Sequence, residues 1–130
     1  MNPAKLFLLI AALGLTPIAL AYGLMPELTV PMLYGIEINS VNTSHVFRAV
    51  MGLYLAMVVF WLIGFRRESL RRPALLSVLV FMVGLAAGRA VSLLLDGVPS
   101  GIFILYLLLE MGFALVAIAL IRKPSVPALD

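Results

Sequence analysis

The 130-residue chain is 64% hydrophobic and 12% charged, with a mean hydropathy of +1.18, a balance that excludes an ordinary water-soluble domain and makes a lipid bilayer its natural solvent. Its net charge of +3 sits in short basic clusters beside apolar runs, which marks topology rather than a nucleic-acid surface. Cysteine is absent, so disulfides, thiolate metal sites and thiol nucleophiles are excluded.

The first apolar run, about Ala4 to Leu24, is broken only by Thr16 and Pro17, which a membrane helix tolerates where neighbours re-satisfy the backbone. Lys5 ahead of the run and Ala19-Leu20-Ala21 before Tyr22 imitate a cleavable secretory signal, but the run is long for a signal core and reads as an uncleaved first span. Residues 25–44, MPELTVPMLYGIEINSVNTS, carry two prolines, a glycine and an Asn/Ser/Thr cluster and so cannot form one regular element. They are expected to be a loop on the bilayer surface or folded over the bundle mouth, with Thr43 or Ser44 capping the next helix. Asn42-Thr43-Ser44 matches a glycosylation sequon, a pattern too short to carry weight.

The second span is expected over about His45 to Phe65, with Trp61 near its end, where an indole suits the interface. RRESLRR follows, placing Arg66, Arg67, Arg71 and Arg72 in one short turn. The third span runs from Pro73, well suited to a first helical turn, to about Leu95. DGVPSG, Asp96 to Gly101, reads as a tight turn, and a fourth span, about Ile102 to Ile121, ends on Arg122-Lys123 and a proline-containing tail. Four crossings of about 20 residues each use nearly the whole length, so residues 1–130 read as a single all-α transmembrane domain, a four-helix bundle. Lys5, the arginine-rich turn and Arg122-Lys123 fall on one side, while residues 25–44 and the Asp96 turn hold no Lys or Arg. The positive-inside rule then predicts both termini in the cytoplasm.

Four ionisable residues fall at or within the spans: His45, Arg48, Arg89 and Glu110. At a rise of about 1.5 Å per residue, Arg89 lies about 10 Å and Glu110 about 12 Å below the outer end, matching depths on consecutive antiparallel helices. Arg48 sits about one turn inside the second span and His45 at its mouth. His45, Arg48 and Gly52 share one helical stripe, Arg89, Ser92 and Asp96 a second, and Tyr106 and Glu110 a third. Gly84 and Gly88 form a GxxxG pattern beside the Arg89 stripe, and with Ala49, Gly52 and Ala56 on the second span they suggest close helix approach.

One reading makes Arg89 and Glu110 a register-fixing ion pair while Arg48 snorkels to headgroups. The other starts from two arginines facing one glutamate. The surplus charge would be met by Glu37, by Asp96, or by an anionic ligand held by a guanidinium. His45 reads as a cap or entrance residue. A single histidine cannot supply bis-imidazole haem ligation, and no metal-binding spacing occurs. Ser92 and Asp96 with His45 form no credible triad, and Tyr34, Tyr54 and Tyr106 read as interfacial or packing residues.

HVFRAVMGLYL, from His45, and GRAVSLLLDGVPSG, from Gly88, followed by Glu110, resemble a bacterial membrane family known as domain of unknown function 4345 and, more distantly, the DoxX-like four-helix group. The resemblance implies a four-helix membrane fold, with His45, Arg48, Gly52, Arg89, Ser92, Asp96, Gly97, Pro99 and Glu110 as motif positions, and no activity; the location expected for the chain is the bacterial inner membrane. The expected function is therefore binding of an anionic or polar headgroup, from a lipid or small molecule, by His45, Arg48, Arg89, Ser92 and Glu110. Gly52, Gly84, Gly88, Asp96, Gly97 and Pro99 would serve structurally. The alternatives are a membrane subunit of a quinone-linked oxidoreductase and a structural subunit that docks a second copy or another membrane protein. No catalytic residue, metal ligand or cofactor is assigned.

Overall fold

The computed structural model describes residues 1–124, and among these there is no strand. Four helices are long and apolar enough to cross a membrane: α1 (Pro3–Gly23), α3 (Val41–Arg66), α4 (Arg71–Leu95) and α5 (Gly101–Arg122). The short helix α2 (Pro26–Tyr34) lies between the first two. The tail expected beyond Pro124 lies outside the described residues.

Local chemistry sets the helix ends. Pro3 opens α1, where its missing N–H costs nothing, and Asn2 Oδ1 accepts from the Ala4 amide at 2.8 Å. Inside α1, Pro17 cannot bond the preceding turn, and the neighbouring Thr16 hydroxyl donates to the Ala12 carbonyl at 2.7 Å. Ser40, rather than the expected Thr43 or Ser44, caps α3, its Oγ accepting from the Thr43 amide at 3.1 Å. That choice starts α3 four residues earlier than its hydropathy, because the first turn, Val41 to Ser44, is largely polar.

Residues 25–44 are not wholly irregular. Pro26 starts α2 at a position where proline is pre-organised for helix, and Gly35, at φ +66°, ends it in the left-handed conformation that glycine adopts without steric cost. The Thr29 hydroxyl donates to the Ala21 carbonyl and ties α2 to the end of α1. Two prolines here mark a helix start and a tolerated interior position, not a break.

The core is centred on α1. Of its most apolar window 44% is buried, against 11–17% for the other three spans, so removing α1 as a signal would strip the bundle of its middle. α1 packs chiefly on α3, and α4 chiefly on α5. Close approach of α1 to α3 occurs at Gly23, where an added Cβ would fall 2.5 Å from Met51 Cβ and 3.1 Å from Arg48 Cα.

At the end bearing the arginine-rich turn, hereafter the basic end, α3 and α4 also meet tightly. Gly64 lies against Ala74, and an added Cβ there would overlap the alanine methyl. Beside this contact Trp61 is fully buried, and its indole N–H donates to Ser77 Oγ at 3.0 Å. The tryptophan is thus a packing residue and not the interfacial anchor expected from its position near a span end. A polar partner on α4 makes burial of the whole indole feasible.

Toward the α2 end the two helices part. Gly52, Gly84 and Gly88 are exposed, and an added Cβ at any of them would meet nothing within 4 Å. The GxxxG face therefore does not bring α3 and α4 together. It borders an open cleft instead.

Candidate functional site

The cleft has a volume of about 550 Å³ and lies between α3 and the α4–α5 pair in the α2 half of the bundle. Phe47, Val50 and Tyr54 form its α3 wall, Gly84, Gly88, Arg89 and Ser92 its α4 wall, and Phe103 and Leu107 its α5 wall. Small residues at positions 84 and 88 leave this space, and large aromatics opposite keep its lining apolar. A second, smaller cavity of about 60 Å³ shares Arg89 with it and is lined also by Tyr22, Tyr106 and Glu110.

Arg89 is the polar centre. Its Nε donates to both carboxylate oxygens of Glu110 at 2.9 Å, and both side chains are largely buried, at 21% and 8% exposure. The guanidinium carbon also lies 5.7 Å from the Phe103 ring centroid and 5.6 Å from that of Tyr106, within cation–π range. The matching depths on α4 and α5 therefore place the two charges together. Among the described residues the Tyr22 phenol is the other side chain that hydrogen-bonds the guanidinium, which leaves N–H donors beyond those used by Glu110 and Tyr22 for an acceptor in the cleft that Arg89 lines.

Around the arginine stands a set of aromatic rings. Tyr34, delivered by α2, stacks between Tyr22 (5.1 Å, 23°) and Phe103 (5.3 Å, 27°), and its hydroxyl pairs with that of Tyr106 at 2.8 Å. Tyr54 meets Tyr22 edge-on at 5.7 Å. α2 is thus anchored over the end of the bundle by a buried ring, and burial pushes the Tyr34 phenol above its ordinary range.

The other expected residues do not join this centre. Arg48 is exposed, and its Nη1 donates to the Gly23 carbonyl at 2.9 Å, where a cation offsets the negative end of the α1 dipole. His45 is exposed at the start of α3 and lines neither cavity. Ser92 borders the cleft, but its hydroxyl donates to Asp96 at 2.7 Å. Among the described residues neither Glu37 nor Asp96 forms an ion pair with an arginine. Gly97 takes φ +96° in the turn between α4 and α5, and Pro99 borders the cleft mouth. The surplus positive charge inferred from two arginines facing one glutamate is therefore not inside the cleft.

Phe103, Tyr106 and Glu110 follow the three-and-four spacing of one face of α5, a legible signal that extends the recognised Tyr106–Glu110 stripe back by one turn. Nothing in the sequence pairs Tyr22 and Tyr34 with that face, because they arrive from separate helices.

Comparison with known proteins fits this architecture. The family model described as "Domain of unknown function (DUF4345)" matches residues 3–121, from the first residue of α1 almost to the end of α5. The chain belongs to this family. No curated protein and no solved structure matches it. Family membership with four spanning helices makes this a multi-pass membrane protein whose family assigns no chemistry, and the cleft geometry has to carry the functional argument.

Proposed function

We propose that this protein binds a lipid-soluble molecule with a hydrogen-bond-accepting head, which enters the cleft between α3 and α4 from the bilayer and is held by Arg89. One observation carries the proposal: a cleft of about 550 Å³ with apolar aromatic walls has, as its one guanidinium, an Arg89 with more N–H donors than Glu110 and Tyr22 use. Glu110 already neutralises that arginine, so the favoured ligand has a polar or dipolar head, such as a carbonyl or a neutral or zwitterionic lipid group, rather than a free anion. Ser92 lies on the same wall as a second polar group, and Phe47, Tyr54 and Phe103 accept the apolar part. These rings suit a planar head, which favours a quinone among the carbonyl compounds. By the positive-inside rule the basic end faces the cytoplasm and the cleft occupies the outer half of an inner membrane.

Native mass spectrometry of the full chain in mild detergent tests the proposal. The wild type should carry a defined adduct. Gly88→Leu, which fills the cleft where a side chain meets nothing, and the paired exchange Arg89→Gln with Glu110→Gln, which leaves no lone buried charge, should both lose it. Arg48→Ala should keep it. Absence of any adduct from a folded wild type, or an adduct retained by Gly88→Leu, would refute the reading and assign the open face to a partner helix.

A further inference from the structure

A second cavity of about 470 Å³ opens at the basic end, between the start of α1, the start of α4 and the end of α5, on the opposite side of the bundle from the Arg89 cleft. Its rim carries Arg71, Arg72 and Lys123 against, among the described residues, a single carboxylate, Glu68. That carboxylate does little to neutralise the site. Its side chain is 91% exposed, and its nearest oxygen stands 3.8 Å from Arg71 Nη1.

The arginines are held rather than loose. The Arg71 side chain is 15% exposed, and its Nε is fully buried with no hydrogen-bond partner among the described residues, a condition that buried guanidinium nitrogens rarely tolerate. Arg72 reaches across to α5, its Nη1 donating weakly to the Ile121 carbonyl at 3.4 Å. Leu75, Leu120 and Ile121 form the apolar floor, so the cavity offers cations at the mouth and hydrocarbon beneath.

We infer that this cavity is a binding site for a phosphate-bearing anion, with Arg71, Arg72 and Lys123 as its ligands. Three cations around one cavity, with one weak counter-charge among the described residues, call for an acceptor that brings several oxygens, which a phosphate group does and a carboxylate side chain does less well. The source is either the headgroup of an anionic phospholipid, whose acyl chains would follow the apolar floor into the bilayer, or a free phosphate. Juxtamembrane basic pockets between helices recognise the former by the same chemistry. The inference is independent of the Arg89 cleft.

The test is competition on the full-length protein by native mass spectrometry, with phosphatidylglycerol, phosphatidylcholine and inorganic phosphate as probes. Phosphatidylglycerol should be retained over phosphatidylcholine. Arg72→Gln and Lys123→Gln, both at exposed positions, should each weaken retention about fivefold, the value of one juxtamembrane charge near an anionic surface. Arg66→Gln removes the same charge outside the cavity lining and should change nothing. Inorganic phosphate that displaces the lipid would support the site with a free anion as its occupant, and phosphate without effect would support the headgroup. Equal retention of the two lipids, or an Arg66→Gln loss as large as that of Lys123→Gln, would overturn the inference and leave only diffuse attraction to a charged surface.

Discussion

Replacing Glu110 with glutamine tests how far the buried pair supports the fold. The exchange keeps shape and one acceptor oxygen but removes the negative charge that meets Arg89 Nε at 2.9 Å. With the two side chains 21% and 8% exposed, Arg89 would be left as a largely desolvated cation. Breaking a buried pair from one side costs about 3–5 kcal/mol. Two features reduce that here: the Phe103 and Tyr106 rings at 5.7 and 5.6 Å still stabilise the cation, and Arg89 lines the open cleft. The expected cost is therefore about 2–3 kcal/mol, below the range for a fully enclosed pair.

Exchanging both residues for hydrocarbon, Arg89→Met with Glu110→Leu, removes the charge problem and should cost less than Glu110→Gln alone. Reversible unfolding of the full chain in mixed micelles, followed by the fluorescence of Trp61, measures both variants, and Arg89→Met and Glu110→Leu made singly close the double-mutant cycle. A neutral interhelical hydrogen bond in a membrane is worth on average about 0.6 kcal/mol. A Glu110→Gln cost no larger than that, or a double variant less stable than the single one, would show that the pair is not a charge-dependent lock between α4 and α5.

The same unfolding assay should separate the glycines. Gly23→Ala places a methyl 2.5 Å from Met51 Cβ and should lose about 1–3 kcal/mol, whereas Gly84→Ala, with nothing within 4 Å, should be neutral; equal costs would contradict the packing described. Trp61→Phe removes the 3.0 Å bond to Ser77 and should cost about 1 kcal/mol for that bond, measured as its coupling to Ser77→Ala by near-ultraviolet circular dichroism melts. Tyr34, outside the spanning helices, has its phenol raised by burial and by the bond to Tyr106. The unfolded chain then ionises first, so stability should hold below pH about 10 and fall as pH rises through the folded value. Tyr34→Phe should lower stability at neutral pH and flatten that alkaline fall relative to the wild type; an unchanged alkaline slope would exclude the phenol as its source.

Hydropathy and charge in the sequence determined the solvent, the number of spans and the common depth of Arg89 and Glu110, because each depends on one-dimensional quantities: run length, rise per residue and the position of basic turns. The register of α4 against α5 follows from the short turn at Gly97, and with it the ion pair. Short-range patterns misled where one residue type serves two ends. Proline at position 26 began a helix inside the expected loop, and Trp61 took a buried partner instead of the interface.

Only the tertiary structure decided what the polar residues do. Arg48 lies on a helical stripe consistent with the site, yet the carbonyl left open at the end of α1 takes its guanidinium. Gly84 and Gly88 have the spacing of a packing motif, yet α3 and α4, locked together at Gly64 and Ala74, part before reaching them. The aromatic set around Arg89 draws Tyr22, Tyr34 and Phe103 from three helices, and no local pattern encodes that meeting. The physical reason is that lipid is as apolar as the core, so apolar periodicity does not reveal which face of a membrane helix meets protein. Contact geometry decides it.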